Sequence, residues 1–214
     1  MKVLSRSFDH NGVIPEEFAF ARPDAANHFA LSQNRNPALA WDGVPDGCKS
    51  LVLIVVDPDA PTVADKVNKE GERVAEDLPR ADFHHWVIVD IPVTCSEIGA
   101  GECSDGITKG GKRQPSAPAG APDARQGVSD YTSWFAGDPD MGGTYTGYDG
   151  PAPPWNDELL HHYHFTVYAL DVDRVDVEGD FTGPDVRGAI EGHVLAEATI
   201  IGTYTTNPKL LARA

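Results

Sequence analysis

Four short apolar runs decide what this chain can fold into. They lie at 51–56 (LVLIVV), 86–92 (WVIVDIP), 163–171 (YHFTVYALD) and 198–204 (ATIIGTY). Each has the length and the β-branched or aromatic content of a strand. None is followed by the amphipathic helix of roughly 10–15 residues that joins parallel strands. A mainly β fold of antiparallel sheets is therefore expected. The run at 51–56 does not alternate and reads as a strand buried on both faces. Twenty-one glycines and 17 prolines, scattered along 214 residues, mark frequent turns. One helix is expected near the C-terminal end, over 185–197 (DVRGAIEGHVLAE). There Val186, Ala189, Ile190, Val194 and Leu195 fall near one face, and Pro184 suits the start. A weaker, charge-rich helix is expected over 63–76.

The length fits one domain, 1–214. Residues 98–130 hold mostly Gly, Pro, Ser and Ala, too little apolar bulk for a core, and read as a long loop. Within it, 106–113 (GITKGGKR) approaches a phosphate-binding P-loop. Arg113 stands where that motif needs Ser or Thr, so the segment reads as loop. Cys48, Cys95 and Cys103 are too few for a disulfide framework and are expected as reduced structural thiols, although Cys95 and Cys103 are close enough in sequence to pair. A net charge of −16 without a basic patch argues against a nucleic-acid partner. No apolar run is long enough to span a membrane. The N-terminus, MKVLSRSFDHNG, turns polar before a signal-peptide core could form, so a cytoplasmic protein is expected. A chain whose leader had been removed would read the same way.

Histidines concentrate where chemistry is expected. His84 and His85 open the second run; His161, His162 and His164 lie in the third. Strand side chains alternate, so His161, Tyr163 and Phe165 should share one face and His162 and His164 the other. His85 should likewise part from His84 and Trp86. Two neighbouring strands, each offering one histidine to a common face, would build a site. Asp57-Pro58-Asp59-Ala60-Pro61 sets two carboxylates on stiff backbone where a buried strand meets its loop. Alone it reads as a turn with solvated aspartates, and Gly150-Pro151-Ala152-Pro153-Pro154 as a stiff connector. His84, His162 and His164 read as ordinary strand residues. Trp41, Trp86 and Trp134 read as packing at core or rim.

Taken in order, NPALAWDGVPDGCKSLVLIVVDPDAPT, HHWVIVDIP and GYDGPAPPWNDELLHHYHFTVYALD resemble the phosphatidylethanolamine-binding proteins, and most of all their bacterial Raf-kinase-inhibitor-like branch. FDHNGVIPEEF and AIEGHVLAEATIIGTY are similar to that branch too. The resemblance covers roughly 1–62, 83–98 and 141–206. It implies two antiparallel sheets with Greek-key links and a few peripheral helices. For function it implies a small surface pocket for an anion, often the phosphate of a lipid head group or phosphorylated ligand. By motif, Asp57 and Asp59 come from DPDAP with Pro61 shaping the wall, His85 from HHW, and His161 and Tyr163 from H-x-Y. Gly150 lies in the G-P-x-P-P rim, where its N–H would approach a ligand. The Ala60–Pro61 peptide is expected to be cis. Inhibition of a kinase or protease is a further implication; no cofactor, metal or catalytic residue is implied.

His162 departs from the arginine of many relatives, and Trp155 from the small or polar residues usual there. Long loop insertions are expected at 63–82 and 99–140, where they would cover the pocket, mediate a homodimer or bind a partner. An acidic chain cannot hold an anion by its overall field. A DPDAP carboxylate is therefore expected to support a protonated imidazole, whose N–H would donate to the ligand together with Tyr163 and a backbone N–H. The alternative is a metal-dependent hydrolase using the same His/Asp cluster with an open position for water. No HExxH spacing and no G-x-S-x-G elbow accompanies it.

Overall fold

The computed structural model describes residues 1–211. Each of the four apolar runs becomes a long strand, and most extend beyond the run itself. In chain order the elements are β1 (Lys2–Ser5), β2 (Gly12–Val13), a 3-10 turn (Glu16–Phe18), β3 (Ala21–Asp24), β4 (His28–Leu31), β5 (Leu39–Asp42), β6 (Ser50–Pro61), β7 (Arg80–Pro92), β8 (Glu97–Ile98), β9 (Arg125–Gln126), α1 (Tyr131–Trp134), β10 (His161–Leu170), α2 (Gly183–Ala189), β11 (Val194–Tyr204) and α3 (Pro208–Leu211). One sheet runs β2-β11-β10-β6-β7-β9 and a second β1-β5-β8; β3 and β4 form a separate hairpin. That hairpin is a third sheet beyond the two expected. Strand pairing is antiparallel except where β2 meets β11.

The missing alternation in β6 has a direct cause. Leu51, Leu53 and Val55 enter one core with Trp86, Ile88 and Phe165, closed by Leu39, Trp41 and Ile98 of the smaller sheet. Val52 and Ile54 enter another with Val87 and Val89, covered by Val175, Phe181, Val186 and Ile190. Fully burying each such side chain stabilises the fold by about 1.5–3 kcal/mol, so neither face tolerates a polar residue.

Four expectations are corrected. The helix expected over 185–197 ends at Ala189. Gly188 and Gly192 weaken helical propensity, and Gly192 takes φ +81 in the turn that launches β11. Val194 and Leu195 are then exposed strand residues. No helix forms over 63–76, where Asn68 and Gly71 adopt left-handed backbone and Val74 bridges to Asp157 instead. The Ala60–Pro61 peptide is trans, since no cis peptide bond occurs among the described residues. DPDAP is not a strand-ending turn either: β6 continues extended through Pro61, opposite Arg80. Elsewhere GITKGGKR is loop, and the cysteines are free. Burial pushes the Cys103 thiol up to about 12. Among the described residues, no helix is long and apolar enough to cross a membrane.

Candidate functional site

The site begins with a bulge. Val55 pairs with Trp86 and Val56 with His84, so β7 carries His85 as an extra residue. A bulge re-aims side chains locally. Here it turns His85 to the side of Trp86, against the expected alternation, and sets its ring 5.2 Å from that of Tyr163 at 72°. His84 goes to the other side, where its ring packs on Gly183 and its Nδ1 lies 3.1 Å from Asp130. On β10 the alternation holds: His161, Tyr163 and Phe165 are buried while His162 and His164 are partly exposed.

His85, His161, Tyr163, Asp57 and Pro61 thereby meet on the wall of one cavity of about 410 Å³. His161 is committed on both nitrogens. Nδ1 lies 2.7 Å from Asp57 Oδ2 and Nε2 lies 3.1 Å from Asp157 Oδ2. Carboxylates only accept, so the ring holds both protons as an imidazolium. Burial opposes that charge, but Asp57 and Asp157 outweigh it and raise the His161 pKa to about 9. Asp157 in turn receives Arg80 at 2.6 and 3.0 Å. Burial pushes the Asp157 carboxyl up, yet His161 and Arg80 together leave it below its ordinary value. The imidazole expected to donate to a ligand therefore has no N–H to spare.

His85 differs. Its Nδ1 donates to the Asp149 carbonyl at 2.8 Å, which fixes the neutral tautomer and leaves Nε2 as the acceptor nitrogen. Burial lowers the His85 pKa, with Asp57 acting against it. Tyr163 is 1% exposed, and its buried hydroxyl lies near Asp57 without making a hydrogen bond of normal geometry. Burial and the neighbouring Asp57 hold its pKa well above 10.

Asp59 and Gly150 are placed elsewhere. Asp59 accepts from the backbone and Nδ1 of His162 at 2.9 and 2.8 Å, on the outer side of the strand. The Gly150 N–H, expected to meet a ligand, donates to Asn34 Oδ1 at 2.8 Å. A Cβ there would sit 2.1 Å from the Phe18 carbonyl oxygen, so glycine is required by close backbone packing.

The rest of the wall is largely aromatic, and no residue of it stood out in the sequence as a site residue, although covering the pocket was one of three roles expected for the 99–140 insertion. Phe20 stacks on Tyr131 with centroids 4.7 Å apart, and Tyr131 on Phe135 at 5.5 Å. Phe83, Trp134 and Met141 complete this apolar side. The 99–140 stretch thus contributes directly to the cavity. Its GITKGGKR segment reaches the cavity through Lys109 and is anchored behind it through Lys112, whose ammonium lies 2.9 Å from the buried Asp149 carboxylate.

A family profile described as phosphatidylethanolamine-binding protein matches residues 4–205. The UPF0098 protein YbhB of Escherichia coli K12 is 33% identical over 206 residues, covering 96% of this chain and all of that protein. A UPF0098 protein of Methanothermobacter thermautotrophicus is also 33% identical, over 95% of this chain and 98% of its own length. Among solved structures, Escherichia coli YbcL, described as a new member of the mammalian PEBP family, superposes with a TM-score of 0.66 at 26% identity. That match covers 95% of this chain and 97% of YbcL. The Chlamydia trachomatis homologue CT736 gives 0.62 at 26% identity, over 95% of each chain.

Proposed function

The chain belongs to the phosphatidylethanolamine-binding protein family, and from that premise we propose that it is a non-enzymatic binding protein whose cavity floor holds one phosphoryl group. The observation that carries this reading is the buried Tyr163 hydroxyl beside His85, which makes no hydrogen bond of normal geometry although the Asp57 carboxylate stands near it. Leaving such a group unsatisfied costs about 1–3 kcal/mol, which a ligand oxygen would recover. With Nδ1–H committed to Asp149, neutral His85 presents Nε2 as an acceptor. A phosphate monoanion matches the pair: one oxygen accepts from Tyr163 while its P–OH donates to His85. A dianion fits only if His85 takes up a proton. Either way the complex holds one proton more than its separated dianionic partners.

Affinity for phosphorylethanolamine is therefore expected to fall as pH rises. The sign follows from the groups around His85. Burial lowers its pKa and His84 lowers it further, while Asp57, the Asp149 carbonyl and Asp130 raise it. The proton is thus available at acid pH and lost above the second phosphate pKa of about 6. Calorimetric titration at pH 5.5 and pH 8 should show at least a tenfold weakening, and equal affinity at both would overturn the reading. Tyr163→Phe should weaken binding roughly three- to tenfold at pH 5.5, the worth of one hydrogen bond.

Regulation of a kinase or protease, implied by the family resemblance, would be exerted through the loops that frame this cavity. No observation favours the metal-hydrolase alternative. Both His161 nitrogens face carboxylates, and among the described residues no three His, Cys, Asp or Glu side chains converge to hold a metal ion.

A further inference from the structure

Above its floor the cavity exceeds what a phosphoryl group needs. Its 410 Å³ compares with about 30 Å³ for a water molecule in the liquid. The additional space is bounded by rings. Tyr131 and Phe135 stand one helical turn apart and stack on each other, Phe20 stacks on Tyr131, and Phe83 meets Tyr131 edge-on at 5.1 Å. This wall is preformed, because the Tyr131 hydroxyl donates to the Gly150 carbonyl at 2.8 Å. At the mouth, Trp134 is 44% exposed.

Charge does not supply the affinity. Among the described residues lining the cavity, Lys109 is the only lysine or arginine, against three aspartates, Asp57, Asp138 and Asp140. The His161 imidazolium is already neutralised by two carboxylates. A bare phosphate would thus be held by few hydrogen bonds against an acidic wall, while the aromatic surface stayed wet. Sites that pair a small polar floor with large apolar walls take ligands built the same way.

We propose that the ligand is a phosphate monoester bearing a ring-sized apolar body. The ester phosphate meets Tyr163 and His85, and the body lies along the Phe20–Tyr131–Phe135 wall. This inference rests on the phosphoryl reading above and adds to it the class of the esterified group. Burying one such body removes enough apolar surface to strengthen binding by at least about tenfold.

Titration calorimetry of the full chain at pH 5.5 with inorganic phosphate, phenyl phosphate and phenol tests it. Phenyl phosphate is expected to bind at least tenfold tighter than inorganic phosphate, with phenol displaced by it. In Phe135→Ala the ratio of the two phosphate affinities should collapse to within about threefold of unity. Phe135→Leu, which keeps apolar bulk, should show an intermediate ratio and guards against a folding defect in the alanine variant. Equal affinity for phosphate and phenyl phosphate would overturn the apolar-body proposal and leave the phosphoryl reading in place. Binding of phenol with no binding of either phosphate would overturn the monoester and the phosphoryl reading together. An affinity ratio that survives both Phe135 substitutions would overturn the assignment of the body to this wall.

Discussion

Asp157→Asn is expected to destabilise the protein by about 3–5 kcal/mol, although the new side chain is almost the same size. Asp157 is 1% exposed and stands between two cations. Its Oδ2 meets Arg80 at 2.6 Å and His161 at 3.1 Å, while Oδ1 accepts from Arg80 and from the Leu159 N–H. With Asp57 on the far side of His161, the four side chains balance two positive charges against two negative ones. Removing that carboxylate leaves Arg80 and His161 facing each other across a neutral amide, with Asp57, behind His161, as the one remaining negative charge. Breaking a buried pair in this way typically costs 3–5 kcal/mol, because the remaining ion is desolvated and uncompensated. The effect should spread along the chain. Arg80 also donates to the carbonyls of Asp59, Ala75 and Leu78, fastening the 62–79 loop to the end of β6. Urea unfolding should show a lower midpoint at unchanged slope. A loss below about 1 kcal/mol would mean that water already shares these charges.

How much of this was legible in the sequence depends on the range over which each feature is determined. The two-sided burial of β6 was legible, because every residue of LVLIVV is apolar and a strand needs no further information to place them. The alternation on β10 was legible for the same reason and separates His161 and Tyr163 from His162 and His164. The bulge at His85 was not. It arises from the mismatch between β6 and β7 registers, and nothing in HHW marks it. It matters, since strict alternation would have separated His85 from Trp86. The helix over 185–197 misled because Val194 and Leu195 fit a helical face as well as an exposed strand end; pairing with β10 decided between them. The second partner of His161 carries a faint signal, an aspartate four residues before the histidine. Arg80 and Asn34 carry none, being brought in by tertiary contacts. The aromatic wall is the largest omission. Tyr131, Trp134 and Phe135 sit just beyond a loop of low apolar content, and a four-residue helix is too short to show periodicity.

Stability should fall by about 3 kcal/mol between pH 6.5 and pH 9 through His161 alone. Its pKa is about 9 in the folded protein against 6.5 for a free imidazole, so the folded state holds its proton more tightly. A group of this kind contributes its full stabilisation below the unfolded pKa and loses it as pH rises through the folded one. Each unit of difference is worth 1.36 kcal/mol, which gives the magnitude. His85 acts in the opposite sense. Burial lowers its pKa, so its contribution is present above 6.5 and is lost as pH falls. The two histidines of one cavity wall therefore bound a stability maximum near neutral pH, one from each side. Above pH 9 the cysteines add a loss of their own, because burial raises their thiol pKa values in the fold. His161→Gln separates these terms. The variant should be less stable than the parent at pH 6.5 and should lose little more by pH 9, so that the two urea-derived stability curves converge. Parallel curves across that interval would show that His161 is not the group that titrates.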